Sequence, residues 1–131
     1  MNLLLDTHVA LWAVAGHKRL SARARDLISD PVNSISISVV SLWEIAIKHA
    51  LGRQSETAIS LSARAAAEAF VLAGYNMLPV SPSHALAVEG LPAHHTDPFD
   101  RLLAAQALSE PMRLLTHDAQ VARYSDTIIL V

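Results

Sequence analysis

The sequence predicts an α/β protein with three layers, in which helices cover both faces of a central parallel sheet. Short apolar runs typical of strands alternate along the chain with longer helical patterns, an order that requires crossover connections between parallel strands. The 131 residues suffice for one domain and not for two, so residues 1–131 are expected to form a single unit. With 52% hydrophobic and 17% charged residues, the composition excludes a disordered chain.

The first half of the chain predicts two strands and four helices. Residues 3–5 are an apolar run predicted to form a buried strand, and the helix after it is expected to stop at Gly16. Ser21 is a good N-cap for a second helix. Residues 34–40 alternate with a period of two and are rich in β-branched side chains, which predicts the second strand. Two further helices are predicted over residues 41–52 and 62–73.

The second half predicts three strands and two helices. A short strand over residues 77–80 is followed by a helix that Ser81 and Pro82 begin. Asp97 and the proline after it are a strong signal for the start of the next helix. The last two strands are predicted over residues 113–116 and 127–131.

Acidic residues follow these strands or begin these helices. Asp6 comes just after the first strand, and Glu44 lies in the first turn predicted after the second. Asp97 and Asp100 share the first turn of one helix, and Asp118 follows the fourth strand. Because strand carboxyl ends and the following helix N-termini share one edge of a parallel sheet, these five side chains are expected to converge there.

Each acid also has a purely structural explanation when it is taken alone. Glu44 fits a capping box with Ser41, and Asp97 fits an N-cap. Asp100 would be favoured by the helix dipole and Asp118 by a turn, whereas Asp6 ends a buried strand, where a turn residue is less usual. The joint pattern favours a metal site, because clustered carboxylates repel one another and hard cations take oxygen ligands. Mg²⁺ or Mn²⁺ held in this way promotes phosphodiester hydrolysis.

The overall charge does not suggest a broad nucleic-acid surface. The formal net charge is −2, whereas proteins that hold nucleic acid electrostatically are usually basic. The one basic cluster is interpreted as a solvated helix face, and at 5% aromatic residues an extended stacking platform is not expected. That cluster consists of Lys18, Arg19, Arg23 and Arg25.

The ordered set of motifs resembles the PIN-domain family, and specifically the toxin ribonucleases of VapBC toxin–antitoxin pairs. The resemblance spans nearly the whole chain, although no single motif is specific by itself. It is carried by Leu3-Leu4-Leu5-Asp6-Thr7-His8, Ser41-Leu42-Trp43-Glu44-Ile45, the run from Asp97-Pro98-Phe99-Asp100 to Ala107, and Leu114-Leu115-Thr116-His117-Asp118.

The resemblance implies a three-layer α/β/α PIN-like fold and an endoribonuclease that depends on Mg²⁺ or Mn²⁺. It also implies an RNA substrate, a homodimer and a VapB-type antitoxin that blocks the site. The family's acidic quartet corresponds to Asp6, Glu44, Asp100 and Asp118, with metal ligands at Asp6, Asp100 and Asp118 and supporting roles for Asp97, Thr7 and Thr116.

Three other functions remain as alternatives. Seven histidines suggest a Zn²⁺ hydrolase, but no HExxH or HxHxDH pattern is present. A receiver-like signalling domain would need an acidic neighbour for Asp6 and a lysine after Lys48, and the chain has neither. A degenerate PIN module that only binds would be expected to lack some of the acids.

Composition bears on partners and location. The chain is more apolar than one small core requires, which suggests an interface on the first helix (Leu11, Trp12, Val14) or on the helix with Trp43, Ile45 and Ile47. The alternative is that both tryptophans belong to the core. No apolar run approaches the ~18 residues of a membrane span. The absence of cysteine and of a basic, apolar leader leads us to expect a cytoplasmic protein.

Overall fold

A computed structural model describes all 131 residues. The chain forms five strands and seven helices, with one 3-10 turn at Val88–Gly90. The strands are β1 (Asn2–Leu5), β2 (Ser34–Ser38), β3 (Asn76–Leu78), β4 (Arg113–Thr116) and β5 (Ile129–Leu130). The helices are α1 (Thr7–Ala15), α2 (Ala22–Ser29), α3 (Val39–Ala50), α4 (Ala63–Leu72), α5 (Pro82–Ala87), α6 (Pro98–Ser109) and α7 (Ala119–Ala122).

All five strands lie parallel in one sheet, in the order β3-β2-β1-β4-β5. β1 is the central strand, and its Leu4 is in register with Ser36 on one side and Leu114 on the other. Helices pack against both faces, so the predicted α/β class with a central parallel sheet is confirmed. The carboxyl ends of β1, β2 and β4 therefore meet at one edge.

The sheet separates two apolar cores, because successive strand side chains point to opposite faces. Leu3 and Leu5 belong to the larger core, which α1, α2 and α4 complete. Leu4 belongs to the smaller core with residues of α6 and α7. All three leucines are fully buried, and each burial contributes ~1.5–3 kcal/mol. A polar substitution at any of these three leucines would therefore disrupt the central strand, at whose end Asp6 lies.

The boundary between β2 and α3 differs from the prediction. The strand ends at Ser38, and the helix begins at Val39, two residues earlier than expected. The Ser38 hydroxyl accepts a hydrogen bond from the Val40 amide at 3.0 Å and caps the helix. Val40 then packs into the smaller core, so tertiary burial overrides the preference of β-branched residues for strands.

Other elements match the sequence more closely. Gly16, Ser21, Ser62 and Asp97 flank their helices as predicted. The short helix α7 was not predicted, and β5 is shorter than the expected strand. The longest helices have 12 residues, and none of the helices could traverse a bilayer.

Candidate active site at the carboxyl edge of the sheet

The structure brings the predicted acids to the carboxyl edge of the sheet from four separate segments. Asp6 follows β1 and is the N-cap of α1, while Asp118 follows β4 and is the N-cap of α7. Asp97 and Asp100 lie at the start of α6. Glu44 lies in the second turn of α3, and both its charge and that of Asp6 act on Asp100.

Asp6 is buried and surrounded by hydrogen-bond donors. Its Oδ1 accepts from the Val9 amide at 2.8 Å, which caps α1. Its Oδ2 accepts from the Thr116 hydroxyl at 2.6 Å and from the His117 amide at 3.2 Å, and His117 Nδ1 lies 3.2 Å away. Burial alone would raise the pKa of Asp6, but the bonds from His117, Thr116 and Val9 outweigh it and lower the pKa. The carboxylate is therefore held ionised.

Thr116 connects two of the acids. Its side chain is fully buried at the end of β4 and donates to Asp6, while its hydroxyl oxygen accepts from the Asp118 amide at 3.0 Å. Asp118 uses Oδ1 to accept from the Gln120 amide at 2.8 Å. One hydroxyl therefore fixes Asp6 and the backbone that carries Asp118.

Glu44 is also buried, but it does not form the expected capping box. Since α3 begins at Val39, Ser41 is inside the helix, and its hydroxyl lies 3.0 Å from that of Thr7. Thr7 donates to Glu44 Oε1 at 2.5 Å, and Lys48 donates to Glu44 Oε2 at 2.6 Å. The prediction that Glu44 lies in the first turn is wrong, because the N-cap is Ser38.

Asp97 and Asp100 differ in their contacts. Asp97 Oδ1 accepts from the amides of Phe99 and Asp100 at 2.8 and 3.1 Å, which confirms Asp97 as the N-cap of α6. Burial and then the charge of Asp97 raise the pKa of Asp100 to about 6, with further contributions from Asp6 and Glu44. The raised pKa thus reflects burial first and the negative charge of the neighbouring acids second.

His95 lies between two of the acids, and sequence analysis noted it only in the context of a zinc site. Its Nε2 lies 2.9 Å from Asp100 Oδ2 and 3.5 Å from Asp118 Oδ2. Burial alone would lower its pKa, but the hydrogen bond and charge of Asp100 and the charge of Asp118 raise it. Ligand atoms of His95, Asp97 and Asp100 lie within 4.8 Å of one another. At this part of the edge one imidazole thus lies between two carboxylates.

Lys48 and His117 contact the acids although sequence analysis gave them no role there. The four-residue spacing from Glu44 to Lys48 is a signal for an ion pair on a helix, and it could have identified the lysine. His117 precedes Asp118 but points to Asp6, and the hydrogen bond from its imidazole is the first cause of its raised pKa. No sequence pattern predicts that orientation, since it depends on how β4 lies beside β1.

The two predicted interface helices expose different side chains. On α3, Trp43 is 58% exposed and Ile47 is 40% exposed, whereas Ile45 is fully buried. Trp43 is thus not a core residue, and its ring lies edge-on to that of Phe99, with 5.2 Å between the centroids. On α1, Trp12 packs partly against the larger core.

Comparisons with known proteins agree with this geometry. The family model described as PIN domain matches residues 3–126. Ribonuclease VapC22 of Mycobacterium tuberculosis is 28% identical over 121 residues, which is 92% of this chain and 89% of that protein.

Solved structures share the fold at low identity. VapBC2 from Rickettsia felis superposes with a TM-score of 0.69 at 19% identity, covering 100% of this chain and 98% of the other. VapBC-5 from Mycobacterium tuberculosis superposes with a TM-score of 0.63 at 20% identity, covering 99% and 97%. The resemblance inferred from the sequence is confirmed.

Proposed function

The chain belongs to the PIN domain family, and we propose that it is a metal-dependent endoribonuclease and the toxin of a toxin–antitoxin pair. The observation that carries this proposal is the convergence of Asp6, Glu44, Asp100 and Asp118 at one edge of the sheet. The similarity to a protein named Ribonuclease VapC22 supports the choice of RNA as substrate.

The donor set fits a hard divalent cation such as Mg²⁺ or Mn²⁺. The candidate ligands are the carboxylates of Asp6, Asp100 and Asp118, and Mg²⁺ is bound by few protein carboxylates together with water. The pKa of Asp100, raised to about 6 by burial and then by the charges of Asp97, Asp6 and Glu44, supports the assignment in its second part, since a cation would offset those charges. When bound, such an ion polarises a phosphodiester, activates water and stabilises the leaving oxygen.

The protein's own residues have distinct tasks in this proposal. Thr116 and His117 hold Asp6 ionised and oriented, and Thr116 also orients the turn that carries Asp118. Glu44 is held on both oxygens by Thr7 and Lys48, which leaves lone pairs to orient the attacking water.

The remaining supporting residue acts through the backbone. Asp97 caps α6 and thereby fixes the position of Asp100. The single imidazole of His95 does not favour a zinc hydrolase, since it lies among carboxylates with no second histidine in the same cluster.

The partners follow from the relatives and from the exposed surface. Solved relatives include a pair described as a member of the VapBC family of toxin-antitoxin systems. We therefore propose a VapB-type antitoxin partner and a homodimer, both in the cytoplasm. The exposed Trp43 and Ile47 on α3 supply apolar surface for one of these contacts.

Cleavage of RNA by the purified protein tests the nuclease assignment. With Mg²⁺ or Mn²⁺ present, the wild type should cleave total RNA, and EDTA should stop the reaction. Asp26→Asn is the matched control, because Asp26 is exposed on α2 and makes no side-chain bond. Cleavage by Asp6→Asn at the wild-type rate, in a preparation from which contaminating nuclease has been excluded, would show that the site is wrong.

The toxin assignment needs a separate measurement. Light scattering at micromolar concentration should give a dimer, and a co-expressed small protein from the neighbouring gene should inhibit cleavage. If the protein is strictly monomeric and no such small protein inhibits it, the nuclease assignment is kept and the toxin assignment is rejected.

A further inference from the structure

A row of aromatic and basic side chains adjoins the acidic edge next to Asp6. The His117 ring lies edge-on to the Trp12 ring, with 5.0 Å between centroids. On Trp12, the guanidinium carbon of Arg19 lies 5.0 Å from the ring centroid, in a cation–π contact. The row runs from the carboxylate of Asp6 through His117 and Trp12 to Arg19.

Arg19 differs from the two other arginines of its basic cluster. Arg23 and Arg25 donate to the carbonyls of Leu130 and Leu20, which gives them structural roles. Arg19 is exposed, pairs with no acid, and lies in the loop between α1 and α2. The interpretation of the cluster as a solvated helix face therefore does not describe Arg19.

We propose that Trp12, Arg19 and His117 form a subsite for the nucleotide adjacent to the cleaved phosphodiester of single-stranded RNA. The inference rests on the proposed RNA cleavage. The two rings lie 65° apart, so a base stacks on one ring and meets the other edge-on, while Arg19 binds the neighbouring phosphate.

The position of the subsite supports an RNA occupant. His117 contacts both Asp6 and Trp12, so a polynucleotide with one phosphate at Asp6 places its next nucleotide beside Trp12. The acidic edge repels the remaining phosphates of the RNA. Arg19 supplies a positive charge for one of them in a chain whose net charge is −2. One nucleotide needs only one platform, which is compatible with 5% aromatic residues.

Tryptophan fluorescence gives a direct test, because the chain has two tryptophans. The background is Asp100→Asn with Mg²⁺, to prevent cleavage, and the probe is a 12-nucleotide single-stranded RNA of mixed sequence. With Trp43→Phe added, Trp12 is the only tryptophan, and RNA should quench its emission. With Trp12→Phe instead, the emission of Trp43 should not change. Quenching of Trp43 alone would overturn the proposal.

A matched pair of arginine variants tests the phosphate contact. Arg19→Gln should weaken RNA binding about 5- to 20-fold and reduce the salt dependence by roughly one phosphate contact. Arg23→Gln removes the same charge from an exposed neighbour and should leave binding nearly unchanged. Equal effects from both variants would mean a diffuse electrostatic contribution and no subsite.

Two further outcomes separate this inference from its premise. If the wild type cleaves RNA and Arg19→Gln binds it as tightly as the wild type, the subsite is wrong and the nuclease stands. If the wild type cleaves no RNA but RNA still quenches Trp12, the nuclease is wrong, and the nucleotide site at Trp12 stands without a cleaved bond beside it. Loss of a protein partner from Arg19→Gln with unchanged RNA affinity would assign this face to the partner and overturn the proposal.

Discussion

The acidic edge has two halves, which differ in how their carboxylates are compensated. The inner half, Asp6 and Glu44, is buried, and each carboxylate accepts from a threonine hydroxyl and faces a basic side chain. The outer half, Asp97, Asp100 and Asp118, is more exposed, and two of its members face the single imidazole of His95.

The pKa values of two aspartates express this difference. The pKa of Asp6 is lowered although the residue is buried, whereas the pKa of Asp100 is raised to about 6. The number of hydrogen-bond donors around a carboxylate therefore matters more than its burial in deciding whether it stays ionised. The inner half is ordered by the protein itself, and the outer half carries the negative charge that a cation would offset.

The largest expected effects come from replacing one aspartate in each half. Asp6→Asn and Asp100→Asn should each lower cleavage at least about 100-fold, because each removes a proposed ligand charge. In EDTA their stabilities should change in opposite directions. Asp6→Asn should lose about 1–3 kcal/mol, since donors lose their acceptor, and Asp100→Asn should gain about 1–2 kcal/mol by removing like-charge repulsion.

Urea unfolding in EDTA, combined with the RNA cleavage assay, measures both effects. Repulsion among the acids alone would predict a gain at either position, and the hydrogen-bond donors around Asp6 restrict this expectation to Asp100. A shift of the same sign in both variants would contradict the division into two halves. Asp26→Asn again serves as the control.

Glu44→Gln should have the next largest effect, with turnover reduced about 10- to 100-fold. Gln retains an acceptor for Thr7 but leaves Lys48, whose side chain is 18% exposed, without its partner. The free energy of unfolding should therefore fall by about 1–2 kcal/mol. The double variant Glu44→Gln/Lys48→Met should recover part of this stability and none of the activity. Full activity in Glu44→Gln would mean that the residue is structural.

The stability of the metal-free protein should depend on pH through Asp100. Its folded pKa of about 6 lies above the model value of 3.8, so between these values the native state holds a proton that the unfolded state has lost. The contribution of Asp100 to the free energy of unfolding is fully present below pH ~4. It decreases as the pH rises from ~4 to ~6 and does not change further above pH ~6. After allowance for partial solvent exposure, the loss is about 1–2 kcal/mol.

The difference in unfolding free energy between wild type and Asp100→Asn, measured from pH 4 to pH 7 in EDTA, isolates this dependence. Carboxylates outside the acidic edge contribute equally to both proteins and cancel, whereas the coupling of Asp100 to Asp97, Asp6 and Glu44 is part of the dependence that is measured. A difference that does not change with pH would show that Asp100 titrates normally.

Asp97→Ser should have the smallest effect. Serine also caps helices, so stability should change by only a few tenths of a kcal/mol. Removing this charge should also lower the pKa of Asp100, which NMR titration of the carboxyl resonances would detect. A loss of cleavage as large as that of Asp100→Asn would instead make Asp97 a ligand.

The sequence predicted those features that depend on local pattern. The alternation of strands and helices gave the parallel sheet, and the position of each acid beside a strand or helix end gave the common edge. Asp97 was recognised because its capping signal is contained within four residues.

The features that were missed depend on packing between distant segments. The start of α3 was misplaced because burial of Val40 against another core outweighs its strand preference. His117 was not connected to Asp6, since their contact joins residues 111 positions apart across neighbouring strands. Periodicity and capping rules contain no information on such contacts.

The central position of β1 also determines when during synthesis the acidic edge can form. Asp6 leaves the ribosome early, but its partner Thr116 is made 110 residues later and belongs to a strand beside β1. At roughly 5–20 residues per second, about 6–20 seconds separate the two. Until then Asp6 lacks the donor that holds it and Asp118 is absent. A nascent chain therefore cannot assemble the acidic edge before β4 has been made.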